Sequence, residues 1–107
     1  MSPTLGDLEQ LVLLALLRLG HDAFGIAVQQ EIASRTRRDV SLGAVYTTLA
    51  RLEQKGYVTT RVGDPTPVRG GRRKKHYRVQ AAGRRVLAAA MADLRALTEG
   101  LPAMELT

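Results

Sequence analysis

Cysteine is absent from this sequence, which excludes disulfides, thiolate catalysis and cysteine-ligated zinc. Tryptophan is absent as well, and the aromatic side chains are confined to Phe24, Tyr46, Tyr57 and Tyr77. No unbroken apolar run exceeds seven residues, as at Leu11–Leu17, far short of the ~20 that a membrane-spanning helix needs. The N-terminal residues carry no basic segment of the kind that opens a signal peptide, so a cytoplasmic protein with no membrane partner is expected. The two histidines, His21 and His76, stand 55 residues apart with no nucleophile pattern beside them. No His/Asp/Glu cluster has metal-ligand spacing, and no glycine-rich loop sits between a strand and a helix. Catalysis is not expected, and neither a metal nor a cofactor is implied.

What is present is ordinary in amount and uneven in placement. The 107 residues allow one domain, and the 45% apolar content is enough for a modest core. The formal net charge is +6. Arg69, Arg72, Arg73, Lys74, Lys75 and Arg78 place six positive charges and no negative one within ten residues, so the rest of the chain is neutral overall. A neutral body with one dense basic segment points to contact with a polyanion.

Along the chain, Thr4 reads as an N-cap with Asp7 three residues on, opening a helix that Gly20 stops. Leu5, Leu8, Leu11, Val12, Ala15, Leu16 and Leu19 form its helical stripe. Leu13, Leu14 and Leu17 lie off that stripe, which suggests a surface for a second subunit. A second helix runs from Gly25 to about Thr36, with Ile26, Ala27, Ile32 and Ala33 expected inward. Ser41 caps a third, Leu42 to Lys55, whose stripe of Leu42, Val45, Leu49 and Leu52 is expected to be buried. Its opposite stripe of Ala44, Thr48, Arg51 and Lys55, flanked by Thr47, is small, then polar, then basic. Residues 57–62 and 75–79 read as strands on either side of a loop rich in Gly and Pro. A last helix spans about Ala81 to Gly100, with Leu87, Ala90, Leu94, Leu97 and Leu101 at heptad-like spacing and Met91 widening the seam.

The order helix, helix, helix, strand, basic loop, strand, helix is that of a winged helix-turn-helix. The expected fold is mainly α with a small β-hairpin: a DNA-binding unit over 1–80, a C-terminal dimerisation helix over 81–101 and a tail over 102–107. Such a unit places its third helix in the major groove while wing cations meet phosphate. The candidate DNA-binding residues are Ser41, Leu42 and Gly43 at the helix N-terminus, Tyr46, Thr47, Thr48 and Arg51 along it, and Arg69, Arg72, Arg73, Lys74 and Lys75 in a wing spanning 63–75. The candidate dimer interface is Leu8, Leu13, Leu17, Leu87, Ala90, Met91, Leu94, Leu97 and Leu101.

Two stretches carry a family resemblance. Residues 41–58, Ser-Leu-Gly-Ala-Val-Tyr-Thr-Thr-Leu-Ala-Arg-Leu-Glu-Gln-Lys-Gly-Tyr-Val, resemble the PadR pattern of Val-Tyr, then Arg-Leu-Glu, then Lys-Gly. Residues 70–79, Gly-Gly-Arg-Arg-Lys-Lys-His-Tyr-Arg-Val, followed by Gly83, are similar to that family's second signature. Here His76 replaces one aromatic of the usual Tyr pair and Gln80 replaces the usual capping Thr. The resemblance covers about residues 5–100. It implies a homodimeric regulator, usually a repressor, that binds double-stranded DNA at a palindromic operator, with Tyr46 and the wing cations on DNA. A pocket for flat aromatic drugs, as in some family members, is hard to build from four aromatic residues. The sequence names no small-molecule effector. The other readings that the charge admits are a winged-helix protein on RNA or the ribosome and a winged-helix protein-interaction module.

Overall fold

The computed structural model describes residues 4–20, 23–65 and 73–103, with the backbone alone at 63–65 and 73–74. The elements follow in the order α1 (Asp7–Leu19), α2 (Gly25–Arg35), α3 (Leu42–Gln54), β1 (Val58–Pro65), β2 (Arg73–Val79) and α4 (Ala81–Thr98). The fold is a winged helix with one added C-terminal helix.

Helix α1 begins at Asp7 with Gly6 as its N-cap, two residues later than the N-cap expected at Thr4. The deciding group is Glu9, whose Oε1 accepts the Gly6 N–H at 2.7 Å and satisfies an amide that the helix itself cannot pair. The helix ends at Gly20, which adopts φ +62°, a backbone region that favours glycine. Its buried face also differs from the sequence stripe. Val12, Leu13, Ala15 and Leu16 are buried, whereas Leu5, Leu8, Leu11 and Leu19 only flank the core. The reason is that α1 touches α2, α3, β2 and α4, so it is enclosed over a wider arc than a surface helix. Leu13 is fully buried within the chain itself. It has no area left for a second subunit, which corrects its assignment to the dimer interface.

Helix α2 buries Val28 and Ile32, and leaves Ile26 and Ala33 exposed, contrary to the expected inward set. The Gln29 side-chain amide donates to the Val40 carbonyl at 2.9 Å and holds the turn that leads to α3. The chain before α2 does more than connect. Tyr77 N–H donates to the Ala23 carbonyl at 2.8 Å, and Phe24 bridges to His76, so this segment lies antiparallel along β2. The Phe24 and His76 rings meet edge to face at 5.9 Å.

The hairpin pairs Val58 with Val79, Thr60 with Tyr77 and Val62 with Lys75. Its strands run further than the β-former pattern suggests, to Pro65 and from Arg73, with irregular register between Val62 and Pro65. Val58, Tyr77 and Val79 close the core against α1 and α3.

Helix α4 starts at Ala81 although Gln80 supplies no side-chain cap. The junction is tied down by the backbone instead: Gln80 N–H donates to the Tyr57 carbonyl at 2.8 Å. Gly83 lets the first turn of α4 lie directly on that carbonyl, because a Cβ there would stand 2.4 Å from the Tyr57 oxygen. Leu87 packs into the core with 4% of its surface exposed, so it too is withdrawn from the dimer interface. Among the described residues no helix is long and apolar enough to cross a membrane.

Gly83→Ala therefore forces a methyl group against backbone that cannot swing aside. The expected cost is about 1–3 kcal/mol, the range for overpacking a closed site. In thermal denaturation this appears as a fall of several degrees in Tm.

Candidate nucleic-acid interface

Helix α3 carries the exposed face of the helix-turn-helix. The Ser41 Oγ accepts the Ala44 N–H at 3.1 Å and fixes the helix start. Val45, Leu49 and Leu52 are fully buried and set the rotation of the helix about its axis. That rotation leaves Gly43, Tyr46, Thr47, Ala50, Arg51 and Gln54 exposed, with Ser41 exposed and Leu42 half-buried at the start. Thr48 is not on this face. It is 5% exposed, and its hydroxyl donates to the Ala44 carbonyl at 2.8 Å. A hydroxyl buried and paired with its own helix has no reach to a base edge, which corrects its assignment as a DNA contact. Ala50 and Gln54 take its place in the outer stripe of Gly43, Thr47, Ala50 and Gln54, at helical spacing. The signal for them was in the sequence, had the buried stripe been centred on Val45 and Leu49 and counted outward from there.

Tyr46 is half-exposed, and its ring lies against the start of α2. It lies so close to Gly25 that a Cβ at that position would meet the ring at 2.4 Å. The start of α2 therefore needs a glycine in order to seat Tyr46 beside the turn.

The hairpin is tied to α3 through Glu53. Thr60 Oγ1 donates to Glu53 Oε2 at 2.9 Å, and Lys75 Nζ stands 3.9 Å from Glu53 Oε1 and 5.7 Å from the Tyr77 ring centroid. The loop that follows β1 is thus anchored at its base to the exposed helix. Arg69 and Arg72 lie outside the described residues, and Arg73 and Lys74 open β2. The Tyr77 hydroxyl is held above the usual tyrosine pKa by burial, then by the neighbouring Tyr46 and Glu53.

This frame is a hairpin and a small-faced helix seated side by side. The sequence profile of the "Transcriptional regulator PadR-like family" matches residues 13–89, well over half of the chain. The chain belongs to the PadR-like family. Among solved structures, a PadR family regulator from Clostridium difficile R20291 is similar at TM-score 0.73 and 22% identity, covering 88% of this chain and 93% of that one. A PadR family regulator from Eggerthella lenta DSM 2243 is similar at TM-score 0.69 and 27% identity, covering 89% and 82%. A transcriptional regulator from Clostridium thermocellum follows at TM-score 0.70, 20% identity and 85% coverage of each chain. No curated protein matches. As a PadR family member the protein is a DNA-binding transcriptional regulator.

Two further ion pairs brace this PadR frame. Glu9 Oε2 accepts from Lys55 Nζ at 2.7 Å, joining the first turn of α1 to the end of α3. Arg38 at the turn before α3 pairs with Asp7. Of the remaining expected interface residues, Leu8, Ala90 and Met91 are half-buried, and Leu17, Leu94, Leu97 and Leu101 are exposed. No group of acidic or histidine side chains suited to a metal occurs among the described residues.

Burial pushes the Glu9 pKa up, but the hydrogen bonds from Lys55 and Gly6 and the charges of Lys55 and Arg51 outweigh it and hold it below its ordinary 4.5. A depressed carboxylate contributes stability above its unfolded pKa and loses that contribution as pH falls through its folded pKa. Glu9→Gln is therefore expected to lower stability by about 1 kcal/mol at pH 7. The gap to the parent protein should close as pH drops below the ordinary value of 4.5. Thermal melts of both proteins between neutral and acid pH measure this; a gap that persists in acid would assign the loss to packing.

Proposed function

We propose that this PadR family member is a homodimeric repressor that binds a two-fold symmetric operator. The observation that carries the reading is the α3 face: Gly43, Thr47 and Ala50 leave little side-chain bulk on it, with Tyr46 and Arg51 exposed beside them. A small-faced helix can approach base edges closely, and Thr47 can offer a hydroxyl and a methyl group there. The N-terminus of α3 at Ser41, Leu42 and Gly43 would meet phosphate through its unpaired amides. Lys75 and the sequence-adjacent Arg69, Arg72, Arg73 and Lys74 would place the wing on the backbone or in the minor groove. In this reading residues 1–80 form the DNA-binding unit, 81–101 the pairing helix and 102–107 a tail.

Dimerisation would use the surface that the protomer leaves apolar. Leu94 and Leu97 are 51% and 79% exposed on the C-terminal half of α4, and Leu101, just past the helix end, is 49% exposed. Leu17 with Leu8, and Met91 with Ala90, would continue this surface toward α1. Isolated exposed leucines are unremarkable, but two on one helix face with a third just past the helix end favour a partner. A symmetric dimer would set its two α3 helices about 10 bp apart, or a multiple of that, on one side of the duplex.

Fluorescence anisotropy tests the reading, with labelled duplex from the protein's own promoter and with scrambled duplex and structured RNA as competitors. Preference for the promoter at two protomers per duplex is the expected result. Equal binding to all three would reduce the protein to a general polyanion binder. Replacing Arg72, Arg73 and Lys74 by Ala should weaken binding to every sequence and flatten the salt dependence by up to about 2–3 units of log–log slope. An unchanged slope would remove the wing from the interface. Leu94→Asp puts an uncompensated charge into the apolar seam and should yield monomers in light scattering; a persisting dimer would place the interface elsewhere.

A further inference from the structure

On the face of the hairpin turned away from Glu53, the strands alternate Thr59 and Arg61 on β1 with His76 and Arg78 on β2. The C-terminal end of α1 and the first turn of α4 rise beside it and border a partly open cavity of about 400 Å³. Leu16 and Leu17 form one wall, and Arg61, Arg78 and Arg84 belong to its lining. That volume is within the range of sites for small organic ligands. Among the described residues no acidic side chain lines it and none of the three arginines has an ion pair. By contrast, Arg18, Arg35, Arg38, Lys55 and Lys75 each meet a carboxylate of the protein itself.

We propose that this cavity binds a small organic polyanion, a phosphate ester or a polycarboxylate, with its oxyanions on Arg61, Arg78 and Arg84. Guanidinium groups pair with both kinds of oxyanion in bidentate geometry, and clustered like charges without an internal acid raise the local concentration of such anions. The Thr59 hydroxyl adds a neutral donor or acceptor, and Leu16 and Leu17 give the organic body an apolar wall. A monoanion would leave two of the three charges uncompensated, so affinity should rise with ligand charge. The cavity spans both strands of the hairpin, the end of α1 and the start of α4, so an occupant would bridge the wing and the C-terminal helix. The site stands independently of how the protein meets DNA.

Isothermal titration and thermal shift test the assignment with acetate, inorganic phosphate, pyrophosphate and citrate at constant ionic strength. Saturable binding of one anion per chain is expected for pyrophosphate, citrate or both, and acetate should not bind. Which of the two binds more tightly separates a phosphate-ester site from a polycarboxylate site. Arg61→Ala, Arg78→Ala and Arg84→Ala should each weaken that binding about tenfold or more. Arg95→Ala, which removes the same charge from the exposed end of α4, should leave it unchanged. All three cavity arginines are exposed, so circular dichroism and the ligand-free Tm of their variants should match the parent. Absence of saturable binding up to millimolar concentration would overturn the proposal. So would an equal loss in Arg95→Ala, which marks general attraction to a basic surface. Loss of duplex DNA affinity without loss of anion binding in the three variants would reassign the arginines to the nucleic-acid surface.

Discussion

The enclosure of α1 is the constraint on which the other elements depend. A chain of this size has few elements with which to cover an apolar helix, and here α2, α3, β2 and α4 all close on this one. Val12 and Leu13 are fully buried and Leu16 nearly so. Each such side chain contributes roughly 1.5–3 kcal/mol relative to exposure. Helix α1 is therefore the common wall of the domain, and the helix-turn-helix and the hairpin are positioned by packing on it. The same enclosure explains why α1 is apolar nearly all round without being a membrane or bundle helix.

Upon that wall, polar contacts orient the functional face. Ser41 sets where α3 begins, and the fully buried Val45, Leu49 and Leu52 set its rotation. Lys55 and Glu9 tie its far end to α1, while Glu53 ties it to Thr60 and Lys75 of the hairpin. Surface ion pairs contribute little individually, so their role here is alignment more than stability. Together they link α3 to α1, to the turn before it and to the base of the hairpin.

The distribution of charge follows from the same contacts. Asp7, Glu9, Glu31 and Glu53 are each engaged by a lysine or arginine of the protein itself. Arg51, Arg61, Arg78 and Arg84 have no ion-pair partner among the described residues and remain exposed. The net charge of +6 is thus expressed at α3 and around the hairpin, where an anionic partner would be met.

Element order, the Ser41 cap, the glycine stop of α1 and the family membership were legible in the residues, because caps, turns and helical periodicity act within a few positions of the chain. The PadR signatures were legible for the same reason, since they lie along α3 and along β2. Choosing faces was harder. Thr48 reads as an outward polar residue and Leu13 as a spare apolar one, yet both are buried. A hydroxyl that pairs with its own helix can be buried at little cost, and a helix enclosed by four neighbours has no single inward stripe. The late start of α1 turned on Glu9, which serves Gly6 and Lys55 at once, 46 residues apart from the latter. The sequence by itself determined which segments are helical or extended and which family they compose. Only the tertiary structure decided which side of each helix faces outward, because rotation about a helix axis is set by the neighbours that cover it.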